Sequence, residues 1–170
     1  MYEVGNLWER GEISVAEEHL ASSIVSRIMS TIYSKFITFE NTRGKAVVTA
    51  TANEFHELGS RIVADSLEMN GWDLDHLGVN TPVDDLVELL KKRRPFFLGL
   101  SVAIPFNLDN AIETIDRVKG VPELEDMKVM VGGKVFNDNP GLWKETEADA
   151  WSRDSNEAIK VTGEWWRKFN

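Results

Sequence analysis

From Lys45 onward, short apolar runs alternate with longer segments in which apolar residues recur at helical spacing. The short runs predict strands over residues 46–51, 72–77, 96–101, 128–132 and about 148–151. The longer segments predict helices over residues 59–69, 83–93, 108–119, about 140–145 and 155–168. Because strands that alternate with helices pack as a parallel sheet with right-handed crossovers, the pattern indicates an α/β domain.

The region before Lys45 has a different pattern. Residues 1–12 are polar, and a long helix is predicted to begin near Ile13, with Ser14 as its N-cap and Glu17 completing a capping box. Its apolar residues form a stripe at four-residue steps with an adjacent row: Leu20, Ile24, Ile28, Ile32 and Phe36, then Ala21, Val25, Met29 and Tyr33. Such a stripe must be buried, so we expect it to pack on the α/β domain, on other helices or on another chain.

We expect a flavodoxin-like, doubly wound fold, one of the common arrangements of such alternating elements, in which five parallel strands have the order 2-1-3-4-5. A partial helical cap precedes this domain. We place the cap in residues 1–42 and the α/β domain in residues 43–170.

Charge and composition exclude several classes of function. The 170-residue chain has a net charge of −9, which argues against direct binding to nucleic acid, because such binding needs a basic face. The chain has no cysteine, so disulfides, thiolate metal sites and cysteine nucleophiles are excluded. No run of about 18 apolar residues predicts a membrane span, and the first residues lack the features of a signal peptide. We therefore expect a cytoplasmic protein that does not insert into a membrane.

The segment Ala52–Gly59, between the first predicted strand of the α/β domain and the helix after it, offers candidate chemistry. It lies at the carboxyl end of a strand, where open α/β folds bind ligands. His56 can donate a nitrogen to a metal, and Glu54 is close enough in sequence to fix the other ring nitrogen. Gly59 lets a bulky group approach the backbone. The alternative is an ordinary surface histidine. His76, at the end of the second predicted strand, is expected to be structural.

Three motifs, each at a predicted strand end, resemble those of cobalamin-binding domains. Glu54-x-His56-x-x-Gly59 resembles the signature Asp/Glu-x-His-x-x-Gly, whose histidine is the lower ligand of cobalt. The resemblance implies that His56 ligates cobalt and that Glu54 orients it. It also implies two strand-end segments beside the cofactor's nucleotide tail, at Ser101 and at Gly132-Gly133. The implied cofactor-binding set is completed by Phe55, Glu57, Leu58, Val102, Ala103 and Ile104.

A second resemblance concerns the cap. Trp8, followed by nine residues and then Glu18-His19, resembles a motif of the CarH-type cobalamin-dependent photoreceptors. In that family these residues line the pocket of the 5′-deoxyadenosyl group above cobalt, which implies the same role for Trp8, Glu18 and His19. Glu9 stands where the best-known members have a second histidine, so a bis-histidine photoproduct is not expected. The family's MerR-type DNA-binding domain is absent, so we expect no repressor role for this chain alone.

The resemblance therefore implies a light sensor that holds adenosylcobalamin with His56 in place of the cofactor's own base. Photolysis would then change the cap or the oligomeric state. One alternative is a corrinoid carrier protein that serves a methyltransferase. Others are a photosensor that pairs cobalamin with a bilin, and a domain of the same fold without a corrinoid. We expect no enzymatic activity of the chain's own, and either a homo-oligomer or a protein output partner.

Overall fold

The computed structural model describes residues 1–33 and 42–170. The chain divides into two compact units, Met1–Thr38 and Phe39–Asn170. The division between the cap and the α/β domain at residues 42 and 43 remains a prediction.

The larger unit is built on a five-stranded sheet. Its strands are β1 (Lys45–Ala50), β2 (Asp73–His76), β3 (Phe97–Ser101), β4 (Lys128–Gly132) and β5 (Ala150–Ser152). They have the order β2-β1-β3-β4-β5, and every neighbouring pair is parallel. The predicted fold class and strand order are therefore confirmed.

Helices connect the strands and cover both faces of the sheet. In this unit they are α3 (Leu58–Glu68), α4 (Val83–Arg93), α5 (Leu108–Lys119), α6 (Lys134–Asp138) and α7 (Ser155–Phe169). The short helix α6 was not predicted, because five residues are too few to show a helical period. The helix predicted near residues 140–145 is a 3₁₀ segment, Leu142–Thr146.

Alternate residues of the strands fill two separate cores, as expected for a sheet that is buried on both faces. One core contains Val47, Leu98 and Val131 with residues of α4 and α5. The other contains Ala46, Val48 and Phe97 with residues of α3 and α7. Because both faces are covered, a ligand would reach this sheet through the loops at its ends.

The carboxyl end of the sheet has a row of small residues. Ala50, Ser101, Gly132 and Ser152 are paired in register across β1, β3, β4 and β5. Residues paired in this way point to the same face of a sheet. One face of the sheet therefore has only small side chains at the edge where the Ala52–Gly59 loop emerges.

Over residues 1–33, the N-terminal unit contains two helices, α1 (Tyr2–Glu9) and α2 (Val15–Tyr33). Helix α1 was not among the predicted helices, because residues 1–12 looked polar. The predicted capping box is present: the Ser14 amide donates to Glu17 Oε2 at 2.7 Å, and the Glu17 amide donates to Ser14 Oγ at 3.3 Å. No helix in either described stretch is long and apolar enough to cross a membrane.

The apolar stripe of α2, which the sequence predicts to be buried, is exposed in the single chain. Leu20, Ile24, Ile28 and Ile32 are 52–61% exposed, and no residue of α2 is buried. Residues of the adjacent row, such as Ala21 and Val25, are only half-exposed. The outward row is therefore a continuous apolar strip along the helix. Phe36, the last predicted member of the stripe, lies outside the described residues.

Candidate functional site

The loop after β1 is held by backbone bonds at its start. The Thr51 amide donates to the Ser101 carbonyl at 3.2 Å, and the Glu54 amide donates to the Thr51 carbonyl at 3.1 Å. Asn53 lies between these turns with a positive φ of 62°, a conformation that asparagine tolerates better than most residues. The chain therefore turns sharply at the end of β1 and directs Glu54 inward.

Asn80, from the connection between β2 and α4, joins this loop by two bonds. Its side-chain oxygen accepts from the Asn53 amide at 2.9 Å. Its own amide donates to the Glu54 carbonyl at 3.0 Å. These two bonds hold the turn from the β2 side without any ligand.

Glu54 has the side chain that organises the site. It is fully buried, with 0% exposure. Oε1 accepts from the His56 amide at 3.1 Å and lies 2.5 Å from His56 Nδ1. Oε2 accepts from the amides of Ala103 and Ile104 at 2.9 and 3.1 Å, and from Asn107 Nδ2 at 3.1 Å. One carboxylate therefore joins the His56 loop to the connection between β3 and α5.

The many donors keep Glu54 ionised. Burial by itself would raise the pKa of the Glu54 carboxyl, but hydrogen bonds from His56, Asn107 and the Ala103 amide outweigh burial and lower the pKa to about 2. A buried carboxylate with this many donors is stable as an anion. Glu54 is therefore a permanent acceptor for the histidine ring.

His56 is held at Nδ1, and its side chain is more than half exposed. Because the ionised Glu54 accepts at Nδ1, the proton of a neutral imidazole lies on Nδ1 and the lone pair on Nε2. The side chain is 56% exposed. A carboxylate that fixes one ring nitrogen is the usual arrangement for a metal-ligating histidine. The geometry therefore allows Nε2 to bind a metal that approaches from solvent.

Asn107 and Asn110 support the loop, and their role was not predicted from the sequence. Asn107 is 2% exposed, and its side-chain amide also donates to the Asn53 carbonyl at 3.2 Å. Asn110 donates to the Ala52 carbonyl at 3.2 Å. The sequence feature that could have identified them is a pair of asparagines shortly after β3, whose carboxyl end lies at the same edge of the sheet as the His56 loop.

The start of α3 leaves open space beside His56. A Cβ placed on Gly59 would have no atom within 4 Å, so the chain's own packing does not require a glycine there. Glu57 and Leu58 precede it, exposed and half-exposed. The absence of a side chain at Gly59 leaves room for a bulky group to reach the helix start.

The residues predicted to lie near the nucleotide tail differ in how deeply they are buried. Ser101 is half-buried in the row of small residues, and Val102 is fully buried in the core. Gly132 and Gly133 are also needed by the fold itself. A Cβ on Gly132 would lie 3.1 Å from the Ser152 carbonyl oxygen. A Cβ on Gly133, whose φ is +110°, would lie 2.2 Å from the Val102 carbonyl oxygen.

Exposed apolar side chains lie on the two loops that Glu54 joins. Phe55 is 68% exposed, Ile104 is 41% exposed and Phe106 is 85% exposed. Glu54 links the two loops that carry them, and Ala103 beside Ile104 is half-buried. Exposed apolar groups clustered around a potential ligand are typical of a binding surface. A flat apolar macrocycle would cover them.

The three residues predicted to lie above cobalt belong to the N-terminal unit, and the other predicted residues belong to the α/β unit. Trp8 lies in the last turn of α1, and its side chain is 44% exposed. Glu18 accepts from Ser22 Oγ at 2.6 Å, and its other carboxylate oxygen lies 3.7 Å from His19 Nε2. Their role above cobalt remains a prediction.

Residues 44–160 match the model of a family described as the B12 binding domain. The chain belongs to this B12-binding family. Residues 1–33 match a second model, which is also described as a B12 binding domain. The loop that carries Glu54 and His56 therefore lies in the α/β unit of a B12-binding protein.

Relatives of known type match the B12-binding chain at low identity. Dimethylamine corrinoid protein 1 of Methanosarcina mazei is 24% identical over 165 residues, which are 94% of this chain and 74% of that protein. The HTH-type transcriptional repressor CarH of Myxococcus xanthus is 30% identical over 133 residues, which are 77% of this chain and 43% of that protein. The monomethylamine corrinoid protein of Methanosarcina barkeri superposes with a TM-score of 0.85 at 24% identity, covering 96% of this chain and 77% of its own.

The residues present fit a cobalamin. Bound cobalamin supplies a cobalt ion that can carry an alkyl group on its upper face. His56 Nε2 would hold the cobalt from below, and Glu54 would keep the imidazole in the required tautomer. Phe55 and Ile104 would lie against the macrocycle, and Gly59 leaves space for it. Ser101, half-buried at the end of β3, would lie beside the nucleotide tail.

Proposed function

We propose that this cobalamin-binding chain is a corrinoid carrier that presents cobalt to a methyltransferase partner. One observation carries the proposal. Dimethylamine corrinoid protein 1 matches 94% of the chain, which spans both units, whereas the match to CarH covers 77%. The carrier was the alternative in the sequence analysis, and it is now preferred to light sensing.

The geometry suits a carrier because the chain's own residues prepare a ligand for cobalt. Ionised Glu54 stabilises the Nδ1–H imidazole of His56, the tautomer that would ligate cobalt through Nε2. The chain would hold and orient the cofactor, and the partner would supply the substrate and its active site.

A light sensor that uses adenosylcobalamin is the second candidate. It is supported by the spacing of Trp8 and Glu18-His19, and by the 30% identity to CarH. In this function the N-terminal unit would hold the adenosyl group until light releases it. A bilin as a second chromophore would need a further apolar surface, for which the exposed Phe106 is the candidate.

One binding series separates the two functions. Methylcobalamin, adenosylcobalamin and hydroxocobalamin are each titrated into the apoprotein in the dark, and the loaded proteins are then illuminated. A carrier should bind methylcobalamin at least as tightly as adenosylcobalamin, and light should leave the size of the protein unchanged. A preference for adenosylcobalamin, together with a light-dependent change in mass by light scattering, would overturn the carrier proposal in favour of the sensor.

A further inference from the structure

The backbone that leaves His56 is held by a short chain of hydrogen bonds. Ser60, in the first turn of α3, is 2% exposed, and its hydroxyl donates to the Glu57 carbonyl at 2.8 Å. His76 Nε2 lies 3.2 Å from the same Ser60 oxygen. Because the hydroxyl proton goes to Glu57, Ser60 accepts from His76, and His76 has its proton on Nε2.

His76 provides a rigid starting point for this chain of bonds. It is the last residue of β2 and is paired in register with Val48 of β1. Burial lowers the pKa of His76, Glu57 raises it and Arg61 lowers it, so the ring is neutral near pH 7. The bond from His76 to Ser60 therefore ties the start of α3 to the sheet.

The two sides of His56 are thus anchored independently. Glu54 and Asn107 hold the chain before it, through the connection between β3 and α5. Ser60 and His76 hold the chain after it, through β2. We propose that His76, acting through Ser60, is a positioning residue that aims His56 at cobalt. The inference rests on the proposed role of His56 as the lower ligand.

Positioning has a measurable consequence. A histidine held in the ligating geometry loses little conformational freedom when it binds the metal, so cobalamin binds more tightly. If the second anchor acts only through His56, removing it matters only while His56 is present. If Ser60 merely stabilises the fold, its removal should lower cobalamin affinity equally with or without His56.

A double-mutant cycle on the full chain distinguishes these cases. Methylcobalamin affinity is measured for wild type, Ser60→Ala, His56→Ala and the double variant, and the absorption spectrum of each complex reports the histidine-ligated fraction. Ser66→Ala is the matched control, because Ser66 is also in α3 and donates to the Ile62 carbonyl at 2.7 Å. His76→Leu removes the donor, and His76→Gln supplies another one.

We expect Ser60→Ala and His76→Leu to weaken binding by about 3–10-fold, as for the loss of one net hydrogen bond. The ligated fraction should fall, and His76→Gln should recover part of it. In the His56→Ala background, Ser60→Ala should have no further effect. Equal losses in both backgrounds, or no loss in wild type, would overturn the inference. A His56→Ala variant with unchanged affinity and spectrum would instead refute the proposed cobalt site.

Discussion

Asn107 Nδ2 lies 3.1 Å from Oε2 of Glu54, a contact between two buried side chains that are 53 residues apart in the chain. Through it, the connection between β3 and α5 supports the carboxylate that in turn holds His56. The lower side of the proposed cobalt site is therefore a network that spans two loops. Removing any one of its members should change ligand binding, stability or both.

His56→Ala should remove the ligand itself. Bound methylcobalamin should lose the absorption features of a nitrogen-ligated cobalt, and its affinity should fall. Glu54→Gln keeps the ring but replaces the ionised acceptor, so its loss of affinity should be smaller, roughly 10–100-fold. Titration of methylcobalamin into each variant at pH 7, followed by absorption, measures the two affinities. A larger loss of affinity in Glu54→Gln than in His56→Ala would contradict the prediction.

Asn107→Leu should destabilise the apoprotein. It removes the donor to Glu54 Oε2 and leaves a buried anion with one bond fewer. We expect the free energy of unfolding to fall by about 1–3 kcal/mol, the usual cost of leaving a buried polar group incompletely bonded. Urea unfolding measures it. Asn110→Leu is the comparison, because Asn110 is only half-buried and donates to the Ala52 carbonyl and weakly to Asn107 Oδ1, but has no bond to Glu54.

Stability should depend on pH through Glu54. Its pKa in the folded protein is about 2, below the ordinary value of 4.5, so the unfolded chain binds the proton more tightly. The stabilisation is therefore complete above pH 4.5 and is lost as the pH falls towards 2. The difference corresponds to about 3 kcal/mol. Urea unfolding of the apoprotein at pH 6, 5, 4 and 3 should show this loss, and Glu54→Gln should remove that part of the pH dependence.

The exposed row of α2 should mediate self-association. Leu20, Ile24, Ile28 and Ile32 form an apolar strip that water would otherwise cover. Ile24→Asn with Ile28→Asn should shift the protein towards the monomer in light scattering. The matched control, Ser23→Asn, changes an exposed polar neighbour. A wild-type protein that is monomeric both with and without cobalamin would refute the prediction.

Trp8→Ala tests the adenosyl pocket. If Trp8 covers the adenosyl group, the variant should bind adenosylcobalamin more weakly and methylcobalamin almost as before. Truncation of a buried aromatic typically costs about 3–5 kcal/mol, and an open pocket that water can refill should lose less. Equilibrium titration with both cofactors measures the difference. Equal affinities for both cofactors in both proteins would leave Trp8 without a role above cobalt.

The sequence by itself determined the sheet and the reactive loop. Apolar runs in alternation with helical periods are sufficient to predict a parallel sheet, because its central strands are covered by helices on both faces and are almost wholly apolar. The local spacing of Glu54 and His56 predicted their contact, since two residues separated by one position in a loop are within reach of each other. The Ser14 and Glu17 capping box was predictable for the same reason.

Only the tertiary structure decided what supports that loop. Asn107, Asn80, Ser60 and His76 reach it because the sheet brings the ends of β1, β2 and β3 to one edge. No local pattern records such contacts, because they join positions between 16 and 53 residues apart. The same applies to the outward direction of the α2 row. A helical period identifies an apolar face, but burial of that face depends on which other surface packs against it.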